Sequence, residues 1–506
     1  MQKLEAIEYL RLNKLQRFWY KFRLFFVSIP IFFKNIGLAI GRFFKKLGLG
    51  IVHYFRDLGT TFVKGDWKTK VSYFIMGFGN VARGQILRGL LFFAMEVAFI
   101  LYMIFFGGKY LAQLGTLGTV AAVEEEVEVA PGVFVFTTTY YDNSFQILLF
   151  GTLTIFFIIA LIYTWSLNIK QNRINEEILK QKKQLTKDKD DIRAMVDEQF
   201  YKTLLALPTL GITIFTVLPI VFMILVAFTN YDKYHYPPQN LFNWVGWDNF
   251  AQLFTWSNSG GASFSSTFGQ VLLWTLIWAF FATFSNYFLG LAVAMLINKK
   301  GIKFKKLWRT ILVFSIAIPQ FISLLYVSKL FATDGLINLF LSNNGMEKIK
   351  FWEDKTLARI TVIIINIWIG IPYLMLVSTG LLMNIPADLY ESAKIDGASG
   401  TQQFFKITLP YMLFVTGPYL LTNFTGNMNN FNVIYLLTGG GPKDVMLYGA
   451  AGHTDLLITW LYSLTVDQTN YKLASVIGIM VFLVVAAISL IVYNVLPSNR
   501  NEEDFA

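Results

Sequence analysis

The sequence predicts an all-α polytopic membrane protein of about eight transmembrane helices. Three observations carry that prediction. Of 506 residues, 55% are hydrophobic and 17% aromatic, and only 15% are charged, whereas a typical soluble chain is about a quarter charged. Eight segments supply the run of roughly 20 apolar residues that a bilayer demands, at about 86–106, 146–167, 204–229, 268–297, 308–331, 358–383, 411–437 and 473–495. Charge also sorts by loop. Glu124, Glu125, Glu126, Glu128 and Asp142 face a single Lys109 between the first two spans, while residues 168–202 and the Lys299–Arg309 stretch are rich in Lys and Arg. The positive-inside bias then puts both termini, these basic loops and residues 384–410 in the cytoplasm, a parity that eight spans satisfy.

Taken in order, residues 1–84 hold the whole net charge of +11, with 15 Lys/Arg against 4 Asp/Glu, and the remainder balances at 28 of each. Basic residues alternating with Phe, Trp and Leu suit a helix lying on an anionic lipid leaflet better than nucleic acid. The run FFVSIPIFF at 25–33 is too short to span, precedes Lys34 and lacks a small-residue cleavage site. It reads as interfacial rather than as a removed signal. Residues 85–167 carry two additional spans, the first containing Glu96, which is expected to pair locally. Residues 168–202 repeat Ile178, Leu185 and Ile192 at seven-residue spacing among charges, as a charged helix or helical hairpin would. A six-span core follows over 203–497.

Several chemistries are excluded. The chain has no cysteine, and His53, His235 and His453 are too scattered for a metal centre. No phosphate-binding G-x-x-x-x-G-K-[ST] loop occurs, so ATP would have to be handled by another chain. No cluster of catalytic groups stands at one depth, which argues against a membrane-embedded enzyme. The core also lacks the mid-span acid that an ion-coupled carrier would use.

Within the core, residues 384–410, NIPADLYESAKIDGASGTQQFFKITLP, read as two short helices between long apolar segments. Pro386 suits a first helical turn, Leu389 and Ala393 share a face, and Gly397 can take the positive φ that ends a helix. Ser399 or Thr401 can cap the second helix, and Pro410 punctuates its end. Glu391, Ser392, Ala393, then Gly397, then Ile407, Leu409 and Pro410 resemble the EAA loop of ABC-importer permeases, with Ser392 where that family often has Ala. The resemblance implies a six-helix type I ABC permease core whose loop docks on a cytoplasmic ATPase subunit. Leu389, Glu391, Ser392, Ala393, Gly397, Leu409 and Pro410 would then be the coupling residues.

Two spans carry polar residues at helical spacing: Asn366, Gly370 and Tyr373 on one, Asn423, Asn427 and Asn430 on the next. At hydrocarbon depth such groups face a cavity or glue helices together, and the periodicity serves both equally. N-x-W-x-G-x-P-Y at 366–373, N-x-N-N-F at 427–431, LLTGGGP at 436–442 and GHTDLL at 452–457 resemble the larger membrane subunit of maltose/maltodextrin importers over most of residues 200–495. That resemblance implies sugar contacts at Asn366, Ile369, Gly370, Tyr373, Asn427 and Asn430. Gly426 stands where the family has an aromatic, which leaves galacto-, arabino- or fructo-oligosaccharides as alternative substrates. The resemblance further implies a second permease subunit, two ATPase subunits binding ATP and Mg, and an extracellular solute-binding protein in a bacterial plasma membrane. The loop at 231–267 is short, as in single-membrane bacteria. Its Tyr231, Tyr234, Tyr236, Asn240 and Trp244 suit either contact with the binding protein or interfacial anchoring.

Overall fold

The structure, a computed structural model, describes residues 14–255, 263–299 and 301–495. Residues 1–13 of the basic segment, Lys300 and the expected cytoplasmic carboxyl terminus beyond 495 lie outside the described residues. Packing divides the chain into two units, Met1–Lys109 with Leu153–Gly211, and Tyr110–Thr152 with Ile212–Ala506. Composition suggests breaks near 84, 167 and 202 instead. The difference arises because the second span runs through both units and residues 110–152 pack with the core.

The first unit opens with a 51-residue helix, α1 (Lys14–Lys64), that takes in the 25–33 run. It continues through residues 65–85, a turn region with short helices at Trp67–Val71 and Phe78–Val81, into α2 (Ile86–Tyr102). The second span, α3 (Ser144–Lys180), does not end where its apolar run ends. Asn168, Asn172, Asn175 and Glu176 form a buried stripe on its last turns, and that stripe saturates the 65–85 turn. Asn168 accepts from the Gly77 N–H at 3.0 Å and donates to the Ser72 carbonyl at 2.9 Å. Asn175 donates to Gln85 Oε1 at 2.8 Å. Glu176 accepts from the Asp66 N–H at 3.1 Å and the Thr69 hydroxyl at 3.2 Å. At the centre the Arg83 guanidinium, 1% exposed, donates to Asp66 and Asn172 at 2.6 Å each and to Thr69 at 2.7 Å. Residues 168–180 continue α3 as a helix, and their buried amides replace backbone partners that water would otherwise supply. Glu96 does pair locally, accepting from the Met76 N–H at 2.8 Å.

The second unit holds the core from Ile212 onward, the first helix of the third span belonging up to Gly211 to the first unit. Between the first two spans stands an antiparallel hairpin, β1 (Ala122–Ala130) and β2 (Val133–Tyr140), which was not foreseen from the sequence. Alternating VEVA and VFVF runs around Pro131-Gly132 are the signal for it. The third span comprises α4 (Phe200–Ile212), a π-turn and α5 (Leu218–Val226). The fourth is α6 (Phe264–Asn298). The fifth is broken: α7 (Lys305–Ala317) and α8 (Gln320–Leu330) meet at 88°. Pro319 is the cause, because its ring drives Ile318 out of the helical region, to φ −80° and ψ 128°. The sixth is α9 (Lys355–Leu382).

α6 and α9 pack closely enough to require glycine at two points. A Cβ on Gly370 would fall on the Asn286 amide, and one on Gly290 would lie 2.7 Å from Leu374 Cβ. Both contacts advance together along the two helices, so α6 and α9 run in the same direction. The chain must therefore cross once between them, which makes the bent α7–α8 pair a full crossing. With the seven unbroken spans among the described residues, this gives the eight crossings expected.

Removing the Arg83 side chain should strand its partners in the first unit. Arg83→Ala is expected to cost about 3 kcal/mol, as breaking a buried ion pair does, read as a lowered thermal midpoint in detergent. A cost no larger than about 0.5 kcal/mol, that of a surface substitution, would show that the stripe on α3 does not hold the turn.

Candidate functional site

Residues 384–410 fold as the local signals dictate. Pro386 (φ −56°) caps α10 (Ala387–Ile395). The helix ends in a Schellman motif: the Ala398 N–H reaches the Ala393 carbonyl at 2.8 Å, and the Gly397 N–H reaches Lys394 at 3.0 Å. Gly397 has φ +78°, a conformation side chains resist. Of the two candidate caps, Ser399 is used; it accepts from the Gln402 N–H while Gln402 returns the bond at 2.8 Å. α11 (Gly400–Gln403) and a π-turn through Thr408 lead into α12 (Leu409–Met428). Glu391 and Ser392 are exposed, Ala393 and Leu409 half-buried and Pro410 exposed. Apolar Leu389 (49% exposed) and Ile395 (86%) stand in the open beside them. Within the loop, the hydroxyls of Tyr390 on α10 and of buried Thr408 at the root of α12 lie 2.8 Å apart.

The polar residues of α9 and α12 meet on α6. Asn366, Gly370 and Tyr373 share one face of α9, with Asn366 buried and Tyr373 half exposed. Ile369 packs into the apolar cluster of Trp278, Val362 and Ile434. Gly370 lies under Asn286 of α6, so its Cα face is occupied by that amide. Asn427 of α12 donates to Thr283 of α6 at 3.0 Å and lies 3.4 Å from Asn423. Its carbonyl accepts from the Trp278 indole at 3.1 Å. The Thr416 and Tyr287 hydroxyls are 2.9 Å apart, so α12 runs opposite to α6. Asn430 leaves the α12 face, because the helix ends at Met428. It caps α13 (Phe431–Thr438), accepting from the Val433 N–H at 3.3 Å, yet its Nδ2 remains 3.4 Å from Asn427 Oδ1. The seam is thus built by three helices. Thr283 and Asn286, three residues apart on α6, are the members that sequence reasoning missed; a lone Asn and Thr in an apolar span were the available signal.

Two further clusters brace one end of the core. Thr454 bonds the Gly441 carbonyl at 2.6 Å and the Thr438 hydroxyl at 2.8 Å. Asp455, 1% exposed, pairs with Lys443 at 3.0 Å and accepts from the Gly452 N–H at 2.7 Å. Arg359 of α9 stacks 4.5 Å over Trp274 of α6 and donates to the His453 carbonyl at 2.7 Å. Desolvation and the neighbouring Lys355 and Arg359 charges hold His453 below its ordinary pKa. The LLTGGGP and GHTDLL motifs are therefore one clamp over the ends of α6 and α9. In the 231–244 loop, Tyr231 is buried in a stack between Phe242 and Tyr471 at 4.6 and 4.4 Å. The Trp244 indole bonds the Leu114 carbonyl. Tyr234 and Tyr236 remain exposed. Beside them Asp232 pairs with Lys472 at 2.6 Å and with His235 at 2.9 Å.

Comparison with known proteins places these features in context. The sequence profile of the family described as binding-protein-dependent transport system inner membrane component matches residues 286–500. The galactooligosaccharides transport system permease protein of Bacillus subtilis is 34% identical over 420 residues, covering 82% of this chain and 94% of that protein. The maltodextrin transport system permease protein of the same organism is 34% identical over 454 residues, covering 88% and 98%. The maltose/maltodextrin transport system permease protein of Escherichia coli K12 is 36% identical over 251 residues, covering 49% of this chain and 48% of that protein.

Asp232 gives a pH prediction. Burial opposes its ionisation, but the Lys472 ammonium and the His235 ring outweigh burial and hold its pKa at about 2, below the ordinary 3.8. A lowered folded pKa stabilises above the unfolded value and is lost as pH falls through the folded one. Asp232→Asn should therefore cost about 2 kcal/mol near neutral pH, the deficit shrinking between pH 4 and about 2. Thermal midpoints measured across that window check it.

Proposed function

The chain belongs to the family of binding-protein-dependent transport system inner membrane components, multi-pass permeases of the plasma membrane, and from that premise we propose how it works. It is the oligosaccharide-conducting subunit of an ATP-driven importer and takes maltodextrins. It pairs with a second permease subunit and with two ATPase subunits that bind ATP and Mg, and an extracellular solute-binding protein delivers the sugar. Both termini and the 386–408 knob face the cytoplasm. Leu389, Glu391, Ser392, Ala393, Gly397, Leu409 and Pro410 couple the knob to the ATPase.

The observation that supports this reading is the bond between α10 and the root of α12. α10 displays Glu391 and Ser392 to a partner, the Tyr390–Thr408 contact joins it to the root of α12, and α12 carries Asn427. A pull on the knob by the closing ATPase is transmitted to α12 and opens the seam by alternating access. Glu391 offers a charge to a basic residue in the ATPase cleft, and Gly397 holds the turn. In the seam, the amides of Asn366, Asn427 and Asn430 donate to and accept from sugar hydroxyls. Tyr373 offers an aromatic face, and Ile369 and Gly370 shape the wall. No ionisable group other than Tyr lies between residues 360 and 387 of α9 and its exit or within α12, so a neutral solute fits. A galacto-oligosaccharide is a second reading, supported by the likeness to the galactooligosaccharides transport system permease protein of Bacillus subtilis.

The cysteine-free chain makes the test clean. Ser392→Cys carries a single thiol and should crosslink to the ATPase subunit in the assembled complex. Gly397→Val, forced into a φ that a β-branched residue avoids, should lower sugar-stimulated ATP hydrolysis roughly tenfold, within the usual span of coupling energies, with the complex still assembled. Full stimulation in Gly397→Val would remove the knob from the coupling path.

A further inference from the structure

Asn286 stands within the seam but has no partner for its carbonyl. It is 6% exposed, and among the described residues its Oδ1 accepts no hydrogen bond. Asn366 on the adjoining helix is equally buried, and its Nδ2 finds no acceptor. An open acceptor and an open donor, both out of water, are costly to maintain. Elsewhere on α6 the polar side chains are satisfied: Thr275 bonds the Val271 carbonyl, Thr283 receives Asn427, and Tyr287 meets Thr416.

The helix packing sets the two residues about one helical turn apart. Gly370, lacking a Cβ, lets the Asn286 amide lie against α9. Asn366 is one turn away on the same face, where Cβ atoms four residues apart are about 6 Å apart. One oxygen that both donates and accepts, at about 2.8–3.0 Å from each partner, spans that gap. A hydroxyl does so, and it does so whichever way each carboxamide is turned. The seam offers no charge to hold an ion there instead.

We propose that Asn286 is a further substrate-positioning residue, clasping with Asn366 a single hydroxyl of the transported sugar. The hydroxyl donates to Asn286 Oδ1 and accepts from Asn366 Nδ2. This rests on the sugar-permease reading above, and it revises the part played by Gly370. Gly370 touches the substrate less than it makes room for the amide that does. Thr283 and Asn286 set the Asn427 contact and the hydroxyl clasp three residues apart on one helix, so a sugar binding both is fixed in register along α6.

The test uses the complete complex in proteoliposomes at saturating loaded binding protein, so that delivery does not limit. Uptake and ATP hydrolysis are measured with maltotriose and its monodeoxy derivatives, or with galactotriose and its derivatives if the wild type takes that sugar. A wild-type complex that no sugar stimulates removes the sugar-permease reading itself. Given wild-type stimulation, one monodeoxy derivative should be taken up about tenfold more slowly than the intact sugar, as loss of one buried hydrogen bond implies. Asn286→Ala should slow the intact sugar by a similar factor and erase that discrimination. Asn286→Ser, which keeps a hydroxyl in the seam and guards against a folding defect in the Ala variant, should restore part of it. Unaltered discrimination in both variants, or a change confined to the thermal midpoint, overturns the proposal and leaves Asn286 holding a water.

Discussion

The close approach of α6 to α9 is the constraint on which the core depends. Gly290 under Leu374 and Gly370 under Asn286 bring two backbones together without a hydrophobic driving force, as small residues do in membranes. That contact fixes the direction of both helices and forces the broken α7–α8 pair to cross. It also places Asn286 and Thr283 where α9 and α12 can reach them. Enlarging either glycine would separate the helices and dissolve the seam, whatever the fate of the individual amides.

Polar groups at membrane depth explain much of the remaining architecture. In the first unit every polar residue along the inner turns of α3 takes a backbone or side-chain partner, and Arg83 knits the 65–85 turn to it. In the core, Asn286 and Asn366 are among the described residues that keep open hydrogen-bonding atoms. At one end of the core, Asp455 with Lys443 and Arg359 over Trp274 lock loops to helix ends.

How much of this was legible in the sequence depends on the range of the determining interaction. The knob at 384–410 was legible almost residue by residue, because Pro386, Gly397 and Ser399 act through bonds within a few positions. Span number was legible from hydropathy, yet the 88° break needed Pro319 to be weighed against an otherwise apolar run. The hairpin at 122–140 announced itself by alternation and Pro-Gly, and was obscured by its acidic composition. Asn427 was found by its spacing; Asn430, three residues on, was expected on the same face but lies beyond the helix end as a cap. Asn286 and Thr283 were invisible, since only packing against α9 and α12 gives them meaning. The buried stripe on α3 was hidden for the same reason, among charges that read as solvated.

The most direct measurement is ATP hydrolysis and solute flux by the complex reconstituted with its permease partner, ATPase and binding protein, across a panel of neutral oligosaccharides. Stimulation of both by a maltodextrin or galacto-oligosaccharide, weakened when Asn427 is changed to Ala, is the predicted result. Flux driven by an ion gradient through this chain alone, indifferent to ATP and to every sugar, would contradict it.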